Sequence, residues 1–313
     1  MQPCTMDSPQ PLPMTMFIQA DPLARTPLAW VREVLSVFKL RIGFMIMLTA
    51  LVGLAIVPGP GIALWKVVTL ALAVFTASAS AGAFNQYYEF ESDRLMARTC
   101  GRAFATGSLP HSRFWLLVIA VLLVGSVAAA AVFLNPLSAG FVFLGAFFYA
   151  VVYTVWLKRR SAWNIVVGGL AGSFAVLAGA AAVDPAIGPL AWLLAAVLFL
   201  WTPPHFWSLA IAHQAQYAAA GVPMLPVVIG VPRAARIVWF STVALTLTAL
   251  VPVFFGAGPF YLAGALLGGG YFAWRAYQLS QAPSRQTAMA AFFASLVQLG
   301  LLLLAVMADR LWL

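Results

Sequence analysis

Between Arg113 and Lys158 the chain reads FWLLVIAVLLVGSVAAAAVFLNPLSAGFVFLGAFFYAVVYTVWL (114–157), 44 residues without a charge and with one helix-breaking pair, Asn135-Pro136. A helix needs about 20 apolar residues to cross the hydrocarbon core of a bilayer. The stretch is therefore two spans, 114–134 and 137–157, split at Asn135-Pro136. The same criterion applied outward adds 37–57, 67–87, 163–183, 189–210, 236–255, 259–276 and 287–308, nine spans in all. Pro58-Gly59-Pro60-Gly61, Asp184-Pro185 and Gly256-Ala257-Gly258-Pro259 mark further breaks.

Composition agrees. The 313 residues are 63% hydrophobic and 8% charged, with a mean hydropathy of +0.96, against about 25% charged residues in soluble domains. That leaves too little polar surface for a water-soluble enzyme and excludes a disordered chain or a secreted disulfide scaffold. Cys4 and Cys100, the two cysteines, have no zinc-site or disulfide spacing. The net charge of +9 reads as basic loops facing anionic headgroups, not as a nucleic-acid surface. With nine spans, fifteen of the 17 Lys and Arg fall on one side and only Lys66 and Arg310 on the other. The positive-inside rule then puts the N-terminus in the cytoplasm and the C-terminus outside. Residues 1–30, Pro-rich and polar toward the start, read as a disordered cytoplasmic tail, and 31–313 as one intramembrane domain. The tail lacks the features of a signal or transit peptide, which favours a bacterial plasma membrane.

Of the eight acidic side chains, three lie within five residues, in Asn85-Gln-Tyr-Tyr-Glu89-Phe-Glu91-Ser-Asp93-Arg94 at the cytoplasmic end of the second span. Residues 85, 89 and 93 share one helix face within about 80°, with Glu91 roughly opposite Glu89. An amide oxygen and two carboxylates on one face are hard ligands suited to Mg²⁺ shared with substrate phosphates. Arg94, Arg98 and Arg102 follow and are placed to hold diphosphate oxygens. The bland alternative is a solvated helix end whose carboxylates pair with those arginines. Against it, acids are scarce, and Asn85 lies deep enough that an unpaired amide would be costly.

Lys158-Arg159-Arg160, after Tyr153, is either a cytoplasmic stop signal or a second phosphate clamp facing the acidic cluster. The sixth span ends Trp201-Thr-Pro203-Pro204-His205-Phe-Trp207, where two prolines are expected to break and kink the helix. His205 is an intramembrane ionisable group, either a bonded core histidine or a site residue. Beyond it come His213, Gln214, Gln216 and Tyr217. The pieces at 85–102 and 201–226 both follow alternate spans on one side, as in a four-helix internal repeat.

These segments carry a resemblance. Asn85 to Arg102 with Met96-Ala-Arg98-Thr99, Ala105-Thr-Gly-Ser-Leu-Pro110, Tyr153 to Asn164, Trp201 to Leu209 and Gly221 to Val228 resemble the haem O synthase (protoheme IX farnesyltransferase) branch of the UbiA-type intramembrane prenyltransferases. Lys39-Leu-Arg41 is similar to that branch's Lys-Pro-Arg. The resemblance implies an all-α fold of nine spans around a central cavity. It implies farnesyl diphosphate and haem B as substrates and Mg²⁺ as metal, with haem O made for a terminal oxidase whose assembly factors would be partners. Asn85, Glu89 and Asp93 would be the catalytic, metal-holding residues. Arg94, Arg98, Arg102, Lys158 and Arg159 would bind diphosphate, and Tyr153, Trp201, His205, Gln216 and Tyr217 would bind haem or substrate. The chain departs from the pattern twice. Glu89 and Glu91 stand where Asp is usual, and His213-Gln-Ala-Gln216-Tyr217 has no carboxylate where the branch usually carries Asp before the Tyr.

Three other readings compete. A different prenyl acceptor on the same fold is opposed by the haem-branch stretches. A non-catalytic, haem-binding paralogue in oxidase assembly draws support from the missing second acidic motif. A transporter would explain the broken sixth span but not an acidic–arginine cluster at the membrane surface.

Overall fold

Thr26 caps a helix: its hydroxyl accepts the Ala29 N–H at 3.3 Å, and Pro27 occupies the first helical position, where a missing N–H costs nothing. A computed structural model of the chain describes residues 26–59 and 61–312, so Cys4 and the tail as far as residue 25 lie outside them. The helix starts at Pro27, ahead of the expected boundary at 31, because a Thr-Pro cap ends the tail.

All regular structure among the described residues is helical. The first span is a bent pair, α1 (Pro27–Val37) and α2 (Leu40–Ala55), meeting at 49°. The hinge residue Lys39 is left-handed at φ 49° and ψ 45°, a conformation costly for a residue with a Cβ. There follow α3 (Leu64–Tyr88), the short α4 (Phe90–Asp93) and α5 (Ala103–Thr106), α6 (Arg113–Phe133) and α7 (Pro136–Phe147). The last continues as a π-helix, Phe148–Leu157. Then come α8 (Asn164–Gly168), α9 (Leu170–Val183), α10 (Pro189–Ala212), α11 (Gln214–Ala219), α12 (Leu225–Ile229) and α13 (Val231–Leu250), which runs into a 3₁₀ turn. α14 (Pro259–Gln281) and α15 (Arg285–Trp312) complete the order.

Among the described residues, seven of these segments are each long and apolar enough to cross a bilayer, or eight if the bent first pair is counted as one span. α14, the Gly-rich helix at the expected eighth of nine spans, is long enough but is not among them. It packs between α13 and α15. α10 runs on through Pro203 and Pro204 where a break was expected. Proline's fixed φ is helical, so the pair removes two N–H donors without reversing the chain.

α2, α3, α6, α7 and α9 pack in one closed series and α10, α13, α14 and α15 in another. The two are joined where α10 meets α9 and α15 meets α2. Small residues set the closest approach, because helices in lipid associate by van der Waals contact rather than by escape from water. A Cβ at Gly179 would lie 1.9 Å from the Ala50 carbonyl oxygen, and one at Gly53 2.2 Å from that of Val176. Large apolar side chains such as Leu72, Val132, Leu247, Leu267 and Leu304 face outward, as a hydrocarbon surround allows. The protein is a multi-pass membrane protein.

Candidate active site

At the end of α3 the ladder continues through Glu89, whose N–H bonds the Asn85 carbonyl at 3.0 Å, to Asp93, whose N–H bonds the Glu89 carbonyl at 2.9 Å. The i, i+4, i+8 face survives the small irregularity at Glu89. Asn85, Glu89 and Asp93 are all buried, and Glu91 is exposed.

Each of the three carries a cation. Lys39 Nζ donates to Asn85 Oδ1 at 2.5 Å, Lys158 Nζ to Glu89 Oε2 at 2.6 Å, and Arg102 Nη1 to Asp93 Oδ2 at 2.7 Å. Asn85 Nδ2 donates to Thr154 Oγ1 at 3.0 Å. Three cations facing two carboxylates leave the cluster net positive, a setting for a polyanion.

The π-helix explains why Lys158 reaches Glu89. The N–H of Lys158 bonds the Tyr153 carbonyl, five residues back, at 2.9 Å. Thr154 Oγ1 bonds the Tyr149 carbonyl, also five back, at 2.8 Å. Nine residues of α-helix would turn Lys158 about half a turn away from Tyr149, whereas nine in π geometry make about two full turns. So Tyr149, Thr154 and Lys158 all face α3: the Tyr149 hydroxyl accepts from Lys39 Nζ at 3.2 Å, and Lys158 Nζ lies 5.7 Å from the Tyr153 ring centre. Asn164 Nδ2 donates to the Lys158 carbonyl at 3.1 Å and holds the turn that follows.

Arg98 Nη2 reaches the Tyr217 hydroxyl at 3.4 Å, linking the 85–102 segment to α11. Gln216 is half-buried beside it, with no hydrogen bond from its side chain among the described residues. His213, at the end of α10, is held below its ordinary value by partial burial and then by Arg98 and Arg285. Arg94 is engaged elsewhere, with Nε donating to the Ala105 carbonyl at 2.7 Å and the guanidinium over Phe90. Arg159 is exposed. Trp201 and His205 form a separate cluster against α15. Sequence reasoning gave no site role to Tyr149, Thr154 or Asn164, and met Lys39 only inside a resemblance. A tyrosine, a threonine and a lysine in apolar runs carry no spacing signal, since α-helical periodicity misplaces them.

Among the described residues, no three of His, Cys, Asp and Glu gather to hold a metal by themselves. The cluster does fit one Mg²⁺ whose shell is completed by substrate oxygens. Asp93 Oδ1 is fully enclosed and has no hydrogen-bond partner among the described residues, and Glu89 keeps one oxygen outside its lysine pair. Asn85 Oδ1 is occupied by Lys39.

Residues 46–297 match the model of the UbiA prenyltransferase family. The chain is 54% identical over 276 residues to protoheme IX farnesyltransferase 2 of Paramagnetospirillum magneticum, covering 88% of this chain and 96% of that one. It is 43% identical to protoheme IX farnesyltransferase 1 of the same organism, covering 90% and 99%. Among solved structures it resembles digeranylgeranylglyceryl phosphate synthase, with a TM-score of 0.75, 18% identity and coverage of 90% and 99%. It also resembles a UbiA homologue from Archaeoglobus fulgidus bound to DMAPP and Mg²⁺, with a TM-score of 0.69, 16% identity and coverage of 86% and 99%.

Proposed function

The chain belongs to the UbiA prenyltransferase family, and from that premise we propose that it transfers the farnesyl group of farnesyl diphosphate to a vinyl of haem B, giving haem O for a terminal oxidase. The observation that carries this reading is the buried ladder of Asn85, Glu89 and Asp93, each bonded to a cation. The names of the relatives supply the acceptor.

Diphosphate leaves only if its growing negative charge is neutralised. Mg²⁺ would supply part of that neutralisation, held by Glu89 and Asp93 with Asn85 beside them. Lys39, Lys158 and Arg102 have side chains already aimed at the anionic face, and each can pass from its carboxylate or amide to a diphosphate oxygen. Arg98, linked to Tyr217, and the exposed Arg159 that follows Lys158 are assigned to the same anion. The bond between C1 of the farnesyl group and its oxygen breaks, and its electron pair leaves with diphosphate. The vinyl π pair forms the new bond to C1, and water adds to the resulting cation with loss of one proton. Tyr149 and Tyr153, stacked with centres 5.8 Å apart, stand beside the Lys39 and Lys158 side chains, where their aromatic faces would stabilise an allylic cation and keep water away until the carbon bond has formed. Tyr217, tied to Arg98, and Gln216 close the site from the α11 side. His205 and Trp201 are assigned to the porphyrin.

Gln216 offers no charge where the resemblance expects a carboxylate, so Arg98 takes over neutralisation on that side and one metal suffices. Nine spans with α14 as the eighth would put fifteen basic residues on one side, an asymmetry that supports an odd count and a cytoplasmic N-terminus; a bacterial plasma membrane is the setting this reading assigns. The residues from Pro27 onward, rather than from 31, then form one catalytic domain, and oxidase assembly factors receive the product.

The test is mass analysis of haems extracted from cells that lack their own haem O synthase and express this chain. Haem B plus a hydroxyethylfarnesyl mass is the expected product, and Asp93→Ala should abolish it even at saturating Mg²⁺. Haem B alone, with the protein present in the membrane, would overturn the reading. It would favour a protein that holds haem without reacting it, the alternative that Gln216 supports.

A further inference from the structure

Where α14 turns into α15, a cavity of about 490 Å³ is lined by Arg275, Gln278, Gln281, Gln286, Thr287 and Ala290. That volume falls in the range of small-ligand sites, about 300–1,000 Å³. The turn lies on the same side of the membrane as the charge ladder, because its Arg285 acts on His213 together with Arg98. α14 is long enough to span but not apolar enough to be counted among the spans. Its Arg, Gln and Ser residues, Arg275, Gln278, Ser280 and Gln281, all gather at this end.

The cation in the cavity is oriented but not neutralised. Arg275 Nη1 donates to Gln278 Oε1 at 3.0 Å, one turn nearer the end of the helix, and Nε reaches the Tyr271 hydroxyl at 3.4 Å. The guanidinium carbon lies 4.4 Å from the Trp274 ring centre and 5.5 Å from that of Tyr271. Stacking and these two bonds fix the fork and leave its remaining N–H groups to donate. Arg275 has no carboxylate partner among the described residues. The chain carries no acidic residue between Asp184 and Asp309, and Asp309 caps the opposite end of α14 through the Phe260 and Tyr261 N–H groups. The Gln281 and Gln286 amides make no side-chain hydrogen bond among the described residues. Donors around an uncompensated cation suit a phosphate oxygen.

The groove changes character along its length. Tyr271, Trp274 and Tyr277 are exposed, and exposed Trp and Tyr mark headgroup level in a membrane protein. Farther toward the middle of the membrane, Leu267 on α14 and Phe293 and Val297 on α15 continue the same two flanks at helical spacing and are exposed. A free anion has no use for that apolar wall, whereas a phosphate that carries acyl chains fits both ends.

We propose that this groove binds one anionic phospholipid, with its phosphodiester on Arg275 and the glutamine amides and its acyl chains against Leu267, Phe293 and Val297, fastening α14 to α15. None of these residues belongs to the farnesyl-transfer site, so the inference stands apart from that reading.

The test is native mass spectrometry and thermal melting of the full chain in detergent, titrated with phosphatidylglycerol or phosphatidylcholine. The wild type should retain one phosphatidylglycerol in preference to phosphatidylcholine, and its melting temperature should rise as that lipid is added. Arg275→Gln should weaken the first binding roughly fivefold, the worth of one arginine near an anionic headgroup, and remove most of the rise, while melting like the wild type before lipid is added. Arg275→Lys keeps the charge without the planar fork and should fall between. Arg113→Gln, at an exposed arginine that begins α6, should change neither reading. Gln278→Ala with Gln286→Ala leaves the guanidinium in place and should also weaken binding, which decides the matter should Arg275→Gln lower the melting temperature by itself. Equal retention of the two lipids, or retention unchanged in both the arginine and the glutamine variants, would overturn the site. Displacement of the lipid by millimolar inorganic phosphate would overturn a lipid as its occupant.

Discussion

Lys158 and Tyr149, nine residues apart in the chain, face the same helix: Lys158 bonds Glu89 at 2.6 Å, and Tyr149 accepts from the Lys39 ammonium that also holds Asn85. The π turn between them makes this possible, and the charge ladder follows from it. Its consequences can be measured one at a time.

Thr154 links the π turn to Asn85, because its hydroxyl serves the Tyr149 carbonyl and the Asn85 amide together. Thr154→Val keeps the volume and removes both bonds. Leaving the Asn85 amide buried without a partner costs about 1–3 kcal/mol. Thermal unfolding in detergent should register that loss, and haem O formation should fall with it, while Thr154→Ser should retain both.

The Lys158–Glu89 pair is buried, with side-chain exposures of 12% and 2%. Removing one partner strands a charge and costs about 3–5 kcal/mol. Lys158→Met should therefore destabilise the protein strongly, and the double variant with Glu89→Gln should regain most of the melting temperature. Turnover should stay lost in both, because the double variant has neither the metal-holding carboxylate nor the cation. A double variant with normal turnover would remove the pair from the chemistry.

His213 sits in the field of Arg98 and Arg285 as well as being partly buried, and all three hold its imidazole below the ordinary value near 6.5. The unfolded chain therefore takes up the proton first as pH falls. The contribution to stability is full above the unfolded value and is lost as pH drops through the folded one. Melting temperature measured between pH 8 and 5 should decline toward acid in the wild type, and His213→Gln should flatten that part of the slope.

Gly179 lets α9 lie against α2, where a Cβ would stand 1.9 Å from a backbone oxygen. No rotamer relieves a clash at the first side-chain atom. Gly179→Leu should lower the yield of folded protein in the membrane sharply, far more than the same change at Gly172, where a Cβ meets nothing within 4 Å.

What was legible in the chain followed from local chemistry. Apolar runs of span length located the helices on either side of Asn135-Pro136 and Asp184-Pro185 closely, while the first, seventh and eighth runs missed the observed helix ends by a turn or more; the agreement follows because hydrocarbon forces every backbone donor to be satisfied within its own helix. The spacing of Asn85, Glu89 and Asp93 placed them on one face for the same reason. The tertiary structure decided what meets that face. Lys39 arrives from a left-handed hinge, Lys158 is turned inward by hydrogen bonds five residues apart, and Ser295 reaches His205 from 90 residues away. Each depends on geometry outside α-helical periodicity or on packing between distant helices. Such geometry is fixed by how helices fit against one another and by which buried polar atoms need partners, and no spacing along the chain records it.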